Sequence, residues 1–127
     1  MPSVTTLTPQ DLDFGKHISE ELKKSGFPFN GVFWLYDEDS DDWQLVIATD
    51  LVDKEGPRET YLRLANAISK VPGSDFQLMR VTVMSPRTPV YNALRSVFGT
   101  AASVEGARLH HTVVNGILVS AYLYDIS

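Results

Sequence analysis

The sequence contains no cysteine. That excludes a disulfide framework, thiolate metal ligation and a cysteine nucleophile, and leaves His, Asp and Glu as the side chains for any metal. Positive charge is also scarce: Lys and Arg number 11 against 16 Asp and Glu, a formal net charge of −5. This balance opposes broad attraction to nucleic acid or to an anionic membrane. No apolar run approaches the roughly 18 residues of a membrane span. The opening, MPSVTTLTPQDLDF, lacks a basic stretch followed by an apolar core, so no signal peptide is expected and a soluble cytoplasmic protein is the default. The glycine-rich phosphate loops, Gly-x-Ser-x-Gly and His-Glu-x-x-His are all missing. No cofactor is implied, and no motif fixes a reaction.

What remains is an ordinary globular composition: 127 residues, 43% apolar and 21% charged. A chain of this length can bury one core without covalent staples. After a short extended lead-in over residues 1–8, Thr8-Pro9-Gln10-Asp11 spells a helix start, with Thr8 as N-cap and Pro9 at the first helical position. Phe14, Ile18 and Leu22 make the buried stripe of a helix over 9–25, His17 lies at its boundary, and Gly26 with Pro28 ends it.

The stretch FNGVFWLYDEDSDDWQLVIATD holds both tryptophans and reads as two strands, 29–37 and 42–49, around an acidic turn. On the first strand Gly31, Phe33 and Leu35 share one face and Val32, Trp34 and Tyr36 the other. Both faces are apolar, so neither side is simply wet. Asp50 to Gly56 reads as a polar loop, and Pro57 opens a helix over 57–70 on the stripe Tyr61, Leu64, Ala65 and Ile68. A strand over 76–84 follows, with Arg80 as its single charge. Ser85-Pro86-Arg87-Thr88-Pro89 is a rigid loop. A helix from Pro89 through Phe98 buries Val90, Leu94, Val97 and Phe98. Gly99 to Gly106 is weakly patterned and reads as the most mobile internal segment, or in part as more helix. Asn115-Gly116 between β-rich runs is the signature of a type I′ hairpin. Its register sets Val114 opposite Ile117, His111 opposite Ser120 and Leu109 opposite Tyr122.

The order α-β-β-α-β-α-β-β implies a single α+β domain: a largely antiparallel five-stranded sheet with three helices on one face. The other face, apolar in both hairpins, is expected to meet a second copy, another protein or a ligand.

The run VFWLYDEDSDDWQLVIATDLVDKEGPRETYLRL, together with VTVMSPRTPV, resembles a recurring pattern in small uncharacterised bacterial proteins. There an aromatic strand meets Trp-x-Leu-x-Ile-Ala, then an Asp-x-x-Gly-Pro loop, a Tyr-bearing helix and a Ser-Pro turn. The likeness covers about residues 30–98. It implies a bacterial origin and the same fold, and brings no activity and no site residue.

Three sets of polar residues carry what chemistry there is. Asp37-Glu38-Asp39-Ser40-Asp41-Asp42 opens like a calcium loop but has Asp42 where the sharp turn needs Gly and Ala48 where the bidentate Glu belongs. A solvated hairpin tip is the plainer reading, and no metal is expected. His110 and His111, as adjacent strand residues, point to opposite faces and would not share one ion. His111, Ser120 and Tyr122 are the catalytic candidates, a base with a nucleophile across a strand pair, though no acid is placed to orient the imidazole. Arg58, Arg80 and Arg87 are the ligand-binding candidates. Arg58 sits in the first turn of a helix, where an anion is favoured. Arg80 is expected to pair with Asp50 or Asp53, or to grip an anionic ligand. Trp34, Tyr36 and Trp43 are the interaction candidates. The expected function is a non-enzymatic protein-interaction module acting as a homodimer, with a protein partner and without nucleic acid or membrane. The alternative is a small enzyme or ligand-binding domain with a His/Ser/Tyr/Arg pocket on the sheet.

Overall fold

A computed structural model describes residues 7–72, 78–99 and 104–126. Helix α1 (Pro9–Ser25) leads into strands β1 (Gly31–Asp37) and β2 (Asp42–Ala48). Helices α2 (Leu51–Glu55) and α3 (Pro57–Ala67) follow, then β3 (Val81–Met84), α4 (Pro89–Phe98), β4 (Arg108–Val114) and β5 (Ile117–Ile126). The class is α+β, with four helices among the described residues and a mixed sheet in the order β3-β2-β1-β5-β4. Two differences from the expected fold have physical causes. Leu51–Glu55 is a short helix where a polar loop was expected; Asp50 adopts a helical backbone and the run carries no helix breaker. The sheet is not purely antiparallel, because β3 pairs with β2 in parallel, Leu45 opposite Val81 through Ala48 opposite Met84. A crossover carrying α2 and α3 is the kind of connection a parallel pair requires.

Helix α1 starts as its sequence dictates. Thr8 Oγ1 accepts from the Asp11 N–H at 3.1 Å and the Asp11 carboxylate accepts from the Thr8 N–H at 2.9 Å, a reciprocal cap. Gly26 closes it with φ 74°. The four-residue tip over 38–41 and the Asn115-Gly116 tip join their strand pairs as expected, with Asp37 opposite Asp42 and Val114 opposite Ile117. Residues 76 and 77 of the strand expected over 76–84 lie outside the described residues. Leu78–Arg80 forms a 3-10 turn, so Arg80 precedes β3 rather than lying in it. Of Gly99 to Gly106, residues 100–103 lie outside the described residues, and Val104 is buried.

Helices cover both faces of the sheet, not one. Phe14, Ile18 and Leu22 of α1, with Leu64 of α3 and Ile68 just past it, pack on Val32, Trp34, Leu45 and Ile47. Tyr91 and Leu94 of α4 pack on Phe33, Val46, Val119 and Leu123. The two apolar faces read from β1 are thus both used, each by its own helices. The single helix α4 is amphipathic enough to take the second face that the sequence left for a partner.

Polar contacts fix the seat of α1. Trp34 Nε1–H donates to the Tyr124 hydroxyl at 3.1 Å, and that hydroxyl donates to the Leu12 carbonyl at 2.7 Å. Burial pushes the Tyr124 phenol well up, with partial relief from the Trp34 donor, so it stays a neutral relay. Gly15 is what lets the relay form, since a Cβ there would fall 2.4 Å from the Tyr124 hydroxyl oxygen. Gly15→Ala is therefore expected to destabilise the fold by about 1–3 kcal/mol. Helix propensity alone would favour Ala by about 1 kcal/mol. A urea midpoint that rises instead would show that α1 is not held this closely.

Candidate functional site

The sequence-derived candidates separate into three places. Arg80 does not meet Asp50 or Asp53. Its Nη1 lies 2.6 Å from Asp11 Oδ1, and its guanidinium stacks over the Trp34 ring, 4.8 Å from the centroid. The partner differs from expectation because the 3-10 turn delivers Arg80 to the N-terminus of α1. Burial pushes the Asp11 carboxyl up, but hydrogen bonds from Thr8 and Arg80, with the Arg80 charge, outweigh it and hold the carboxyl below its usual range. A depressed folded-state value means that ionised Asp11 stabilises the fold above the unfolded value of about 4. That stabilisation is lost as the pH falls through the folded value. Asp11→Asn is expected to flatten part of the acid limb of a stability-against-pH curve and to cost about 1–3 kcal/mol at neutral pH, read from urea midpoints.

Asp50 and Asp53 are taken by Arg87, whose Nη1 lies 3.1 Å from Asp50 Oδ1 and 2.6 Å from Asp53 Oδ2. Ser85 Oγ–H donates to Asp53 Oδ2 at 2.8 Å and accepts from the Arg87 N–H at 3.1 Å. This exposed knot sits past the ends of the parallel pair β2 and β3. It borders an open cleft of about 440 Å³ that Asn92 and Arg95 of α4 close on the other side. Arg87 is thus neutralised within the chain. Arg58 is exposed on the first turn of α3 and borders neither this cleft nor the groove described next.

The third place is a groove of about 330 Å³ on the α1 face, walled on one side by Leu12 of α1 and by Leu7 just before it. The floor runs across four strands: Trp43 of β2, Tyr36 of β1, Ser120 and Tyr122 of β5, then Arg108 and His110 of β4. Tyr36 and Trp43 meet edge to face with centroids 5.5 Å apart. The Arg108 guanidinium lies over the Tyr122 ring, 4.9 Å from its centroid. The apolar floor continues into Leu118 and Val113, an opposed pair at the hairpin tip that is 49% and 67% exposed. Of the interaction candidates, Tyr36 and Trp43 border the groove, while Trp34 is wholly buried beneath α1.

A β-bulge shapes the β4 side. Leu109 stands opposite Ala121 and Thr112 opposite Val119, so His110 and His111 together face the single residue Ser120. Leu109 is therefore not opposite Tyr122 as the even register implied; Arg108 is. His111 takes φ 43°, and the two imidazoles do not point to opposite faces but meet edge to face, 4.5 Å between centroids. The Ser120 hydroxyl accepts from the His111 backbone N–H at 2.9 Å. It is the peptide of His111, not its ring, that engages the serine, and the ring is exposed. Nothing in this arrangement prepares a nucleophile. His17 is exposed on α1, away from the groove. Among the described residues no three His, Asp or Glu side chains converge on a point that suits a metal ion, and no helix is long and apolar enough to cross a membrane.

The acidic turn joins β1 to β2 just past the groove residues Tyr36 and Trp43. Asp41 accepts from the Tyr36 hydroxyl, and that bond, with the neighbouring carboxylates, raises the Tyr36 phenol to about 12. Asp41→Asn is expected to return the Tyr36 titration towards 10 in an ultraviolet pH titration. Asn tolerates the positive φ of 54° at this position, so the turn survives the change.

Comparison with protein-family models, curated proteins and solved structures gave no match to any of them. The site therefore rests on its own geometry.

Proposed function

We propose that the chain is a non-enzymatic protein-interaction module, a soluble cytoplasmic homodimer that uses the open half of the α1 face as its contact surface. The observation that supports this reading is a set of apolar side chains on the α1 face: the half-buried Tyr36, Trp43 and Tyr122 in the groove, and the exposed Leu118 and Val113 at the hairpin tip. Exposed apolar surface of this kind marks association sites, and large aromatics with an arginine are the residues that interfaces favour. The net charge of −5 turns the reading away from nucleic acid and anionic membranes. The bacterial origin implied by the FWLY…WQLVIA pattern belongs to the same reading.

One observation favours a second reading as a ligand-binding domain: the groove volume of about 330 Å³ is within the range of small-molecule sites. The catalytic version of that reading has less support, because the Ser120 hydroxyl is held by a backbone N–H. Sedimentation velocity across a concentration series separates the two. The interaction reading expects a dimer, and expects Leu118→Asp to weaken it about tenfold or more while leaving the unfolding midpoint nearly unchanged, since Leu118 is half exposed. A strict monomer at every concentration would overturn the homodimer and leave the ligand site.

A further inference from the structure

The groove on the α1 face is apolar in its body and charged along one bank. Tyr36, Trp43 and Tyr122 make its floor, Leu7 and Leu12 a wall, and all five are half-buried. Arg108 and His110 of β4 form the positive bank. Arg108 makes no ion pair among the described residues; its neighbour is the Tyr122 ring. No carboxylate lines the groove among the described residues. A mostly apolar pocket with a few polar groups at one end is the form that small-molecule sites take.

The other charges near this face are already engaged or lie elsewhere. Arg80 and Asp11 neutralise each other at the start of α1. The acidic turn belongs to β1 and β2, and β5 separates those strands from Arg108. A ligand with one negative end is therefore drawn to the β4 bank and turned away from the β1–β2 side. The cleft beside Arg87 offers no such pull, because Asp50 lines it and pairs with that arginine.

The donors narrow the ligand further. The flat guanidinium fork matches a carboxylate, which can accept two of its N–H bonds at once. One unpaired arginine suits one negative charge; a polyanion would leave charge without a partner in a chain of net charge −5. The floor is aromatic, with Tyr36 and Trp43 already edge to face, and such rings favour edge or offset contact with another ring. The volume of about 330 Å³ suits a small molecule.

We propose that the groove binds a small aromatic carboxylic acid as its anion. The carboxylate lies on Arg108 beside His110, and the ring lies against Trp43, Tyr36 and Tyr122. The proposal rests on the ligand-binding reading above, not on the homodimer, and adds the charge, class and orientation of the ligand.

3-Phenylpropanoate and its neutral amide, 3-phenylpropanamide, share a shape and differ in charge. Trp43 lines the groove while Trp34 is wholly buried, so tryptophan emission, excited beyond the phenyl absorption, reads occupancy, with titration calorimetry beside it. Near neutral pH the acid is expected to bind saturably and the amide about tenfold or more weakly. Arg108→Gln is expected to weaken the acid by about tenfold or more and to leave the amide nearly unchanged. His110→Glu, which sets a carboxylate on the same bank, is expected to weaken the acid alone. Both side chains are exposed, and urea midpoints confirm that each variant folds. If Arg108→Gln lowers the midpoint by loosening Tyr122, His110→Glu decides by itself. Acid and amide binding equally, or an acid indifferent to both variants, would overturn the proposal and leave the ligand-binding reading standing. Neither compound giving a change in emission or heat would end the proposal and that reading together.

Discussion

The arrangement of this molecule depends on how closely α1 is held to the sheet. The contact is polar at its centre: Trp34 donates to Tyr124, which donates to the Leu12 carbonyl. Arg80 lies over the same tryptophan and pairs with Asp11, which also closes the helix cap with Thr8. Every polar group here has a partner, and buried polar groups are costly only when left without one. Such a network fixes position more sharply than apolar packing, which tolerates sliding. Gly15 is the steric condition for it, because any side chain at that point would push the helix off Tyr124.

That seat has a consequence for the rest of the face. Helix α1 covers Val32, Trp34 and Tyr124 and leaves Tyr36, Trp43 and Tyr122 half-buried. On the opposite face α4 lies over Phe33, Val119 and Leu123 with its apolar stripe, and its buried Tyr91 hydroxyl donates to the Asn30 carbonyl at 3.2 Å. The open ground is therefore a by-product of where the relay puts α1, and the residues lining it keep their aromatic character. Tyr36 and Tyr122 each have a polar engagement within the chain, with Asp41 and Arg108 respectively, so these half-buried rings are oriented rather than loose. Rings held in this way lose little conformational freedom on association, which lowers the cost of using them as contact surface.

Much of the fold was legible because local chemistry decided it. Thr8-Pro9, Gly26 and Asn115-Gly116 each need one backbone geometry, and each adopts it. The strand faces of β1 followed from alternation and hold in the structure. What was not legible depends on long-range pairing. Nothing near Arg80 in sequence names Asp11, 69 residues away, as its partner. Asp50 and Asp53 were reasonable partners for an arginine, and they do have one in Arg87, which reaches them because β2 and β3 run side by side. Counting apolar faces also misplaced the need for a partner. Two apolar faces on one strand are equally consistent with helices on both sides, and the missing information was which face each helix would fill incompletely.

The bulge in β4 shows that some of the site could have been read. Starting from Val114 opposite Ile117, strict alternation would turn Thr112, His110 and Arg108 towards α4, beside Val119, Ala121 and Leu123. That would put a guanidinium into an apolar cluster, at a cost of several kcal/mol unless paired. It would also turn Leu109 out onto the α1 face. One extra residue between Leu109 and Thr112 corrects both: Leu109 joins the α4 cluster and Arg108 moves onto Tyr122. The hydrophobic pattern of RLHHTVV breaks phase at the histidine pair, and a break of phase by one residue is the sequence trace of a bulge. The same insertion swings His111 into a left-handed backbone, turns its N–H towards Ser120, and brings the two imidazoles together. The feature that suggested a catalytic base beside a serine is thus the repair that keeps a charge out of the core. Its by-product is the positive bank of the groove.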